Sequence, residues 1–365
     1  GLHRLAHVLA RKGDTEGAMA AATKIITLEP REPKTYLTMG DVYIQARRYQ
    51  EALARYREGY QLQPDFDDFL LLTRIANVER LMLNFSQSRR ELESYADRAS
   101  PLGRAYGWFL LGDLAFFTGD FNQAVQQYQG SVAAFQQLQQ PNPGVHVAVR
   151  LAELLAFQDR YDEALSWVDQ AEAMATSVPL RFVARRNRIV ILAKKGDWRK
   201  AEAEIEKLEQ EMASLPPEPW RQGWMVYCRA QIELAKGQLS EAKLLMSQAA
   251  SDIGRPADLG ILLARQGQYP EALEQLNTAL HEYESLALDP SYAVWRPAPF
   301  YYVLAYYQRA KTYREVGQVD KARQDFQKFV AFWSGASHRP EVIESTRILQ
   351  QGSNDRKSTS DHKSR

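Results

Sequence analysis

The residues in this chain that could do chemistry are few and scattered. His3 and His7 stand four apart, so on a helix both imidazoles share one face and could grip a divalent metal if a third donor were close. The neighbouring sequence offers none, and the pair reads as a solvated helix face. Cys228 is the single cysteine, so it cannot close an intramolecular disulfide. No base adjacent in sequence would activate it, which makes it a small core or groove residue. Carboxylates are plentiful, but at helical i, i+4 spacing they serve as ion-paired surface groups. The sequence contains no Gly-rich phosphate loop, no paired cysteines and no His-Glu-x-x-His helix. No catalytic residue, metal or cofactor is expected, and the chain is not read as an enzyme.

The elements that would position any functional side chain come next. The 365 residues are 45% hydrophobic and 25% charged, the mix of a folded soluble protein. Lys and Arg total 46 against 45 Asp and Glu, a balance that gives no reason to expect nucleic acid as a partner. No apolar run approaches the roughly 20 residues of a membrane span, so no membrane insertion is expected. The start at Gly1, already inside a helical pattern, reads as a fragment of a longer protein. One cysteine suits a cytoplasmic location and is compatible with a periplasmic one.

A short phrase recurs along the chain: a Gly or polar residue, an aromatic or aliphatic residue, two polar residues, then Ala. Examples are Arg48-Tyr49-Gln50-Glu51-Ala52, Asp120-Phe121-Asn122-Gln123-Ala124 and Asp197-Trp198-Arg199-Lys200-Ala201. The small residue falls at Ala18, Ala52, Ser88, Ala124, Ala164, Ala201, Ala242, Ala272 and Ala322. This spacing fits nine helical hairpins and no sheet architecture. Within the phrase, Gly or a polar residue ends one helix, Asp or Ser can cap the next, and Ala sits where the two helices come closest. A larger side chain there would overpack the contact by roughly 1–3 kcal/mol. The 16 prolines agree. Fifteen are expected between repeats and Pro270 just inside the start of a helix, positions where the missing N–H does no harm.

The second repeat resembles the tetratricopeptide repeat family through Tyr36, Met39, Gly40, Tyr43, Ala52, Tyr56, Gly59 and Pro64. The fourth matches through Trp108, Leu111, Gly112, Ala124, Tyr128 and Ser131, and the ninth through Tyr306, Ala310, Tyr313, Ala322 and Phe326. The resemblance covers about residues 2–335 and implies an all-α, right-handed superhelical solenoid of about nine helix-turn-helix repeats. Residues 1–340 are expected to form one continuous array in which each repeat packs on its neighbours alone, 341–351 a capping helix and 352–365 a disordered tail. A looser resemblance links Tyr306–Trp333 to the terminal repeats of bacterial multidomain signalling proteins, through Tyr313, Gly317, Ala322, Phe326, Phe329 and Trp333.

The same resemblance implies that the first helix of each repeat lines an inner, concave face. In that frame the fourth repeat contributes Tyr106, Phe109 and Asp113, the fifth Arg150 and Glu153, and the sixth Arg186 and Asn187. The seventh contributes Trp224, Tyr227 and Gln231. Aromatic residues beside arginines suit an extended or helical peptide with an acidic segment or a C-terminal carboxylate. Neighbouring carboxylates could equally absorb these arginines. The Lys/Asn/Arg clamp of chaperone-binding members is not expected, because the corresponding positions hold Leu37, Thr38 and Asp41, and Phe109, Leu110 and Asp113. The basic run Arg181, Arg185, Arg186, Arg188, Lys194, Lys195, Arg199 and Lys200 reads as a solvated face or an acidic-partner patch. The loop from Leu286 to Pro299 carries Pro290, Tyr292, Trp295 and Pro297, which either close the core or wall a groove. The expected function is a protein-interaction scaffold that binds a protein or peptide segment in its concave groove. The alternative is the regulatory or sensory region of a larger bacterial signalling protein, a kinase or transcription regulator.

Overall fold

The computed structural model describes residues 1–213, 216, 218–253, 256–286 and 298–363; for residues 11, 219, 250–253, 284–286 and 352–363 only the backbone is described. Of the aromatic loop expected from Leu286 to Pro299, residues 287–297 lie outside the described residues.

Among the described residues all regular structure is helical, and the helices come in successive pairs. The first three pairs are α1 (Leu2–Arg11) with α2 (Thr15–Leu28), α3 (Pro33–Gln45) with α4 (Tyr49–Leu62), and α5 (Phe66–Leu81) with α6 (Phe85–Arg98). The next three are α7 (Pro101–Thr118) with α8 (Phe121–Gln137), α9 (Pro141–Phe157) with α10 (Tyr161–Met174), and α11 (Val178–Lys195) with α12 (Trp198–Met212). The last three are α13 (Pro219–Ala235) with α14 (Leu239–Ile253), α15 (Pro256–Arg265) with α16 (Tyr269–Leu286), and α17 (Pro299–Glu315) with α18 (Val319–Phe332). A final helix, α19 (Pro340–Lys363), follows a short 3-10 turn at Ser334–Ala336. The all-α repeat class read from the spacing is the class observed.

Local chemistry explains the pairing. Ala18, Ala52, Ser88, Ala124, Ala164, Ala201, Ala242, Ala272 and Ala322 are all buried, each on the second helix of its pair. Five residues before each of them the chain turns through positive φ: at Gly13, Gly119, Gly196, Gly237, Gly267 and Gly317, and also at Arg47, Leu83 and Asp159. The turn therefore imposes left-handed backbone whether or not glycine is there to take it cheaply. Asp14 accepts a hydrogen bond from the Gly17 N–H at 2.9 Å, and Asp120 one from the Gln123 N–H at 3.2 Å. The cap expected at Asp197 does not form, since that side chain accepts from Lys200 Nζ instead, at 3.2 Å.

Prolines open α3, α7, α9, α13, α15, α17 and α19, where the N–H has no helical acceptor. Pro143 and Pro179, expected between repeats, lie inside the first turns of α9 and α11, as does Pro270 in α16. The first turn lacks intrahelical N–H acceptors throughout its length, so the tolerance extends past its first residue.

The contacts divide the chain into two compact units. The first comprises Gly1–Leu114, Gln126–Gln140 and Tyr283–Arg296. Its core includes Ala18, Val42, Ala52, Tyr56, Leu71 and Val78. Within it, Tyr56 lies against Gly40, and the Tyr56 hydroxyl donates to Asp41 Oδ1 at 2.7 Å. The second unit comprises Ala115–Val125, Pro141–Glu282 and Pro297–Arg365. Phe182, Ile189, Ala201, Leu208, Tyr227 and Ile232 form one of its cores.

The second unit also holds an aromatic cluster that nearest-neighbour stacking would not produce. Phe157 stacks on Phe300 at 5.0 Å and 17°. Phe116 lies 5.8 Å from Phe300, and Trp333 lies 5.8 Å from Phe121 and 5.5 Å from Phe157. The ninth repeat thus packs against the turns of the fourth and fifth. The expectation that each repeat contacts only its neighbours is corrected here, because these turns present large apolar rings that gain most by mutual burial. Gly119, with φ +79°, comes so close to Ala336 that an added Cβ would sit 2.6 Å from its Cβ.

α19 buries Val342 and Ser345, and Tyr307 of α17 donates its hydroxyl proton to Glu344. The backbone helix continues to Lys363, where composition predicts a disordered tail from 352. A helix already nucleated over Pro340–Gln351 needs only one hydrogen bond per added residue to propagate.

Candidate functional site

The ten inner positions read from the sequence fall into two groups. Tyr106, Phe109 and Asp113 belong to the first unit and the other seven to the second.

In the first unit, α7 turns Phe109 and Asp113 toward its partner α8. Phe109 is fully buried, 5.8 Å from the ring of Tyr128, and Tyr128 donates its hydroxyl proton to Asp113 Oδ1 at 2.6 Å. These two side chains hold the hairpin together. Tyr106 is half-buried, edge-on to Phe135 at 5.0 Å.

In the second unit, α9, α11 and α13 bring together His146, Arg150 and Glu153, then Arg186 and Asn187, then Trp224, Tyr227 and Gln231. Arg150 is 2% exposed, with Nε 3.5 Å from Glu153 Oε2, so the arginine read as a partner contact lies beneath the surface. Asn187 is buried and donates to the Val183 carbonyl at 2.8 Å, which closes a turn of its own helix. Arg186 is half-buried and lies over the indole of Trp224, its guanidinium carbon 3.4 Å from the ring centre. Such stacking fixes the plane of the guanidinium and strengthens as water is excluded. Burial, with the Arg186 and Arg150 charges beside it, pushes the His146 imidazole down to about 3, so it is neutral at physiological pH.

Tyr227 and Gln231 are engaged from within the chain. The Tyr227 hydroxyl donates to Asp258 Oδ2 on α15 and stands 3.4 Å from the Tyr301 hydroxyl on α17, while Gln231 Nε2 donates to the same Asp258 oxygen at 3.3 Å. Lys194 Nζ lies 5.5 Å from the ring centre of Phe300 and 5.8 Å from that of Tyr301. The start of α17 therefore occupies part of the face assigned to a partner. Sequence reasoning missed Asp258 and Tyr301, because nothing local marks which later helix returns to the sixth and seventh repeats. The cluster of aromatics at Phe300–Tyr302 was the available signal.

The basic run resolves into ion pairs. Arg185 bonds Glu172 at 2.6 Å and also reaches Glu211, and Arg188 bonds Asp169 at 2.7 Å and Glu172 at 2.9 Å. Lys195 bonds Asp162 at 2.6 Å, and Arg199 stacks 4.2 Å from the ring centre of Trp198. Neighbouring carboxylates explain the density of positive charge. His3 contacts Thr38 and Glu29, and His7 faces Asp41 at 3.9 Å. Among the described residues no group of three or more His, Cys, Asp or Glu could hold a metal, and no helix is long and apolar enough to cross a membrane.

Family models described as tetratricopeptide repeat match residues 1–32, 33–66, 109–179, 257–278 and 304–333. The TPR repeat-containing protein YpiA of Bacillus subtilis (strain 168) is 25% identical over 162 residues, 44% of this chain and 36% of that protein. The chain thus matches about a third of that relative's length. A tetratricopeptide repeat protein from Parabacteroides merdae aligns over 69% of this chain and 91% of its own, with 17% identity and a TM-score of 0.46. YrrB, described as a TPR protein with an unusual peptide-binding site, aligns over 59% and 96%, with 17% identity and a TM-score of 0.31. Hairpins, buried alanines and family matches agree: the chain belongs to the tetratricopeptide repeat family, whose fold is a protein-binding scaffold and generally not an enzyme.

Proposed function

We propose that this protein is a scaffold whose second unit binds an acidic segment or C-terminal carboxylate of another protein at Arg186 and Trp224. The observation that supports this reading is the guanidinium of Arg186 3.4 Å over the half-buried Trp224 ring, on two first helices of adjacent repeats. A guanidinium held in one plane has already lost the freedom that carboxylate binding would otherwise cost, and it can form two parallel hydrogen bonds. Neutral His146 adds no charge at physiological pH. Tyr227 and Gln231 are engaged by Asp258 and Glu153 by Arg150, which leaves recognition to Arg186 and Trp224.

The test is co-purification with wild type, Arg186→Glu and Trp224→Ala baits, quantified by mass spectrometry beside thermal melts of each bait. A partner depleted about tenfold or more by either substitution, with Arg186→Glu still melting like wild type, is the expected result. Equal recovery on all three baits would overturn the site.

A further inference from the structure

A second surface lies on α14, α15 and α16, around the eighth repeat. Here Lys243, Ser247, Pro256, Leu259, Leu263, Glu271, Glu274, Gln275, Thr278 and Glu282 line a cleft of about 530 Å³. Its origin is legible in the chain. α15 has 10 residues where the other first helices after α1 have 13 to 18, and it is flanked by longer second helices on both sides. The small residues Ala242 and Ala272 that bracket this repeat are 30 apart, the shortest interval in the series. A first helix missing about a turn leaves a cleft beside Pro256, Leu259 and Leu263, whose side chains are themselves largely buried.

The walls carry unequal charge. Glu271, Glu274, Thr278 and Glu282 repeat at helical spacing along one face of α16, while the α14 wall offers Lys243, which donates to Gln268 at 3.0 Å. Burial raises the pKa of Glu282 from its ordinary value. Three carboxylates against one lysine give the cleft a net negative charge, which favours a basic partner.

We infer that this cleft docks a basic amphipathic segment of another protein, with an apolar side chain on Leu259 and Leu263 and Lys or Arg side chains on Glu271, Glu274 and Glu282. The opposite charge preference sets this site apart from the one around Arg186, so the protein can hold two dissimilar segments at once. The inference extends the scaffold reading but does not depend on the Arg186 site.

The test uses the full chain and fluorescein-labelled peptides of repeating Lys-Lys-Leu or Glu-Glu-Leu, read by fluorescence anisotropy. Wild type should bind the basic peptide and not the acidic one. The double variant Glu271→Lys/Glu274→Lys, both positions exposed, should weaken basic-peptide binding about tenfold. Glu16→Lys, an exposed reversal on α2, should leave it unchanged, and so should Arg186→Glu. Equal weakening by Glu16→Lys would mean diffuse charge attraction and overturn the site, as would unchanged binding in the double variant or equal binding of the acidic peptide. If Arg186→Glu loses its own partner yet binds the basic peptide normally, the two sites are separate. If it retains that partner, only the Arg186 reading falls.

Discussion

Tyr128 donates a 2.6 Å hydrogen bond to the buried carboxylate of Asp113, fifteen residues before it on the other helix of the same hairpin. Tyr56 repeats the arrangement on Asp41 at 2.7 Å, again fifteen residues away. In both hairpins a glycine precedes the aspartate, and the tyrosine ring lies directly on its backbone: a Cβ added at Gly112 would meet Tyr128 at 2.6 Å, and one at Gly40 would meet Tyr56 at 2.2 Å. The Gly-Asp pair on one helix and the Tyr on the next are one locking device. Tyr128→Phe removes the donor and leaves a buried carboxylate short of a partner, a loss of about 1–3 kcal/mol. Gly112→Ala forces the ring aside at a cost of roughly 1–3 kcal/mol. Urea denaturation of each variant measures both, and stabilities equal to wild type would contradict the lock.

The stacking of Phe157 on Phe300 ties the ninth repeat to the fifth within the second unit. Either residue changed to alanine should cost about 3–5 kcal/mol. The double-mutant cycle should give a coupling of about 0.5–1.5 kcal/mol beyond simple burial. Additive losses would mean that the two rings do not touch in solution.

The turns offer a gain of stability. Leu83 holds φ +66° where six of the other repeats place glycine. Leu83→Gly should therefore stabilise the protein by roughly 1 kcal/mol, and Gly196→Ala, at φ +90°, should destabilise it by a similar amount. Opposite shifts in the thermal midpoint are the expected readout.

His146 gives the stability a pH dependence of known sign. Its folded value, about 3, lies below the unfolded value near 6.5, so the unfolded state takes up the proton first. The neutral imidazole's contribution is complete above about pH 6.5 and is lost progressively as pH falls toward 3. Between pH 7 and pH 5 this amounts to about 2 kcal/mol. Urea midpoints of wild type should fall over that interval and those of His146→Gln should fall less. Parallel curves would remove His146 as the cause.

The hairpins were legible because their determinants are local. A small residue where two helices touch and a turn five residues earlier recur in sequence order, and Ala18 through Ala322 all lie where that logic puts them. The inner face was only partly legible. Periodicity places a side chain on a helix face but does not say which neighbour covers it. Phe109 and Asp113 are claimed by Tyr128 within their own hairpin, and Tyr227 by Asp258 and Tyr301 far along the chain. Arg186 and Trp224 could be placed on adjacent first helices, yet only coordinates bring the guanidinium onto the indole. The basic run was read as a solvated face or an acidic-partner patch, and the sequence alone could not name the carboxylates on α10 and α12 that pair with Arg185 and Arg188.

The most direct measurement of the scaffold claim is hydrogen exchange of the chain alone and with its co-purified partner. Binding at the inner face predicts added protection on α11 and α13 around Arg186 and Trp224, with the outward surface of α10 and α12 unchanged. Protection confined to other helices, or none at all in a saturated complex, would contradict it.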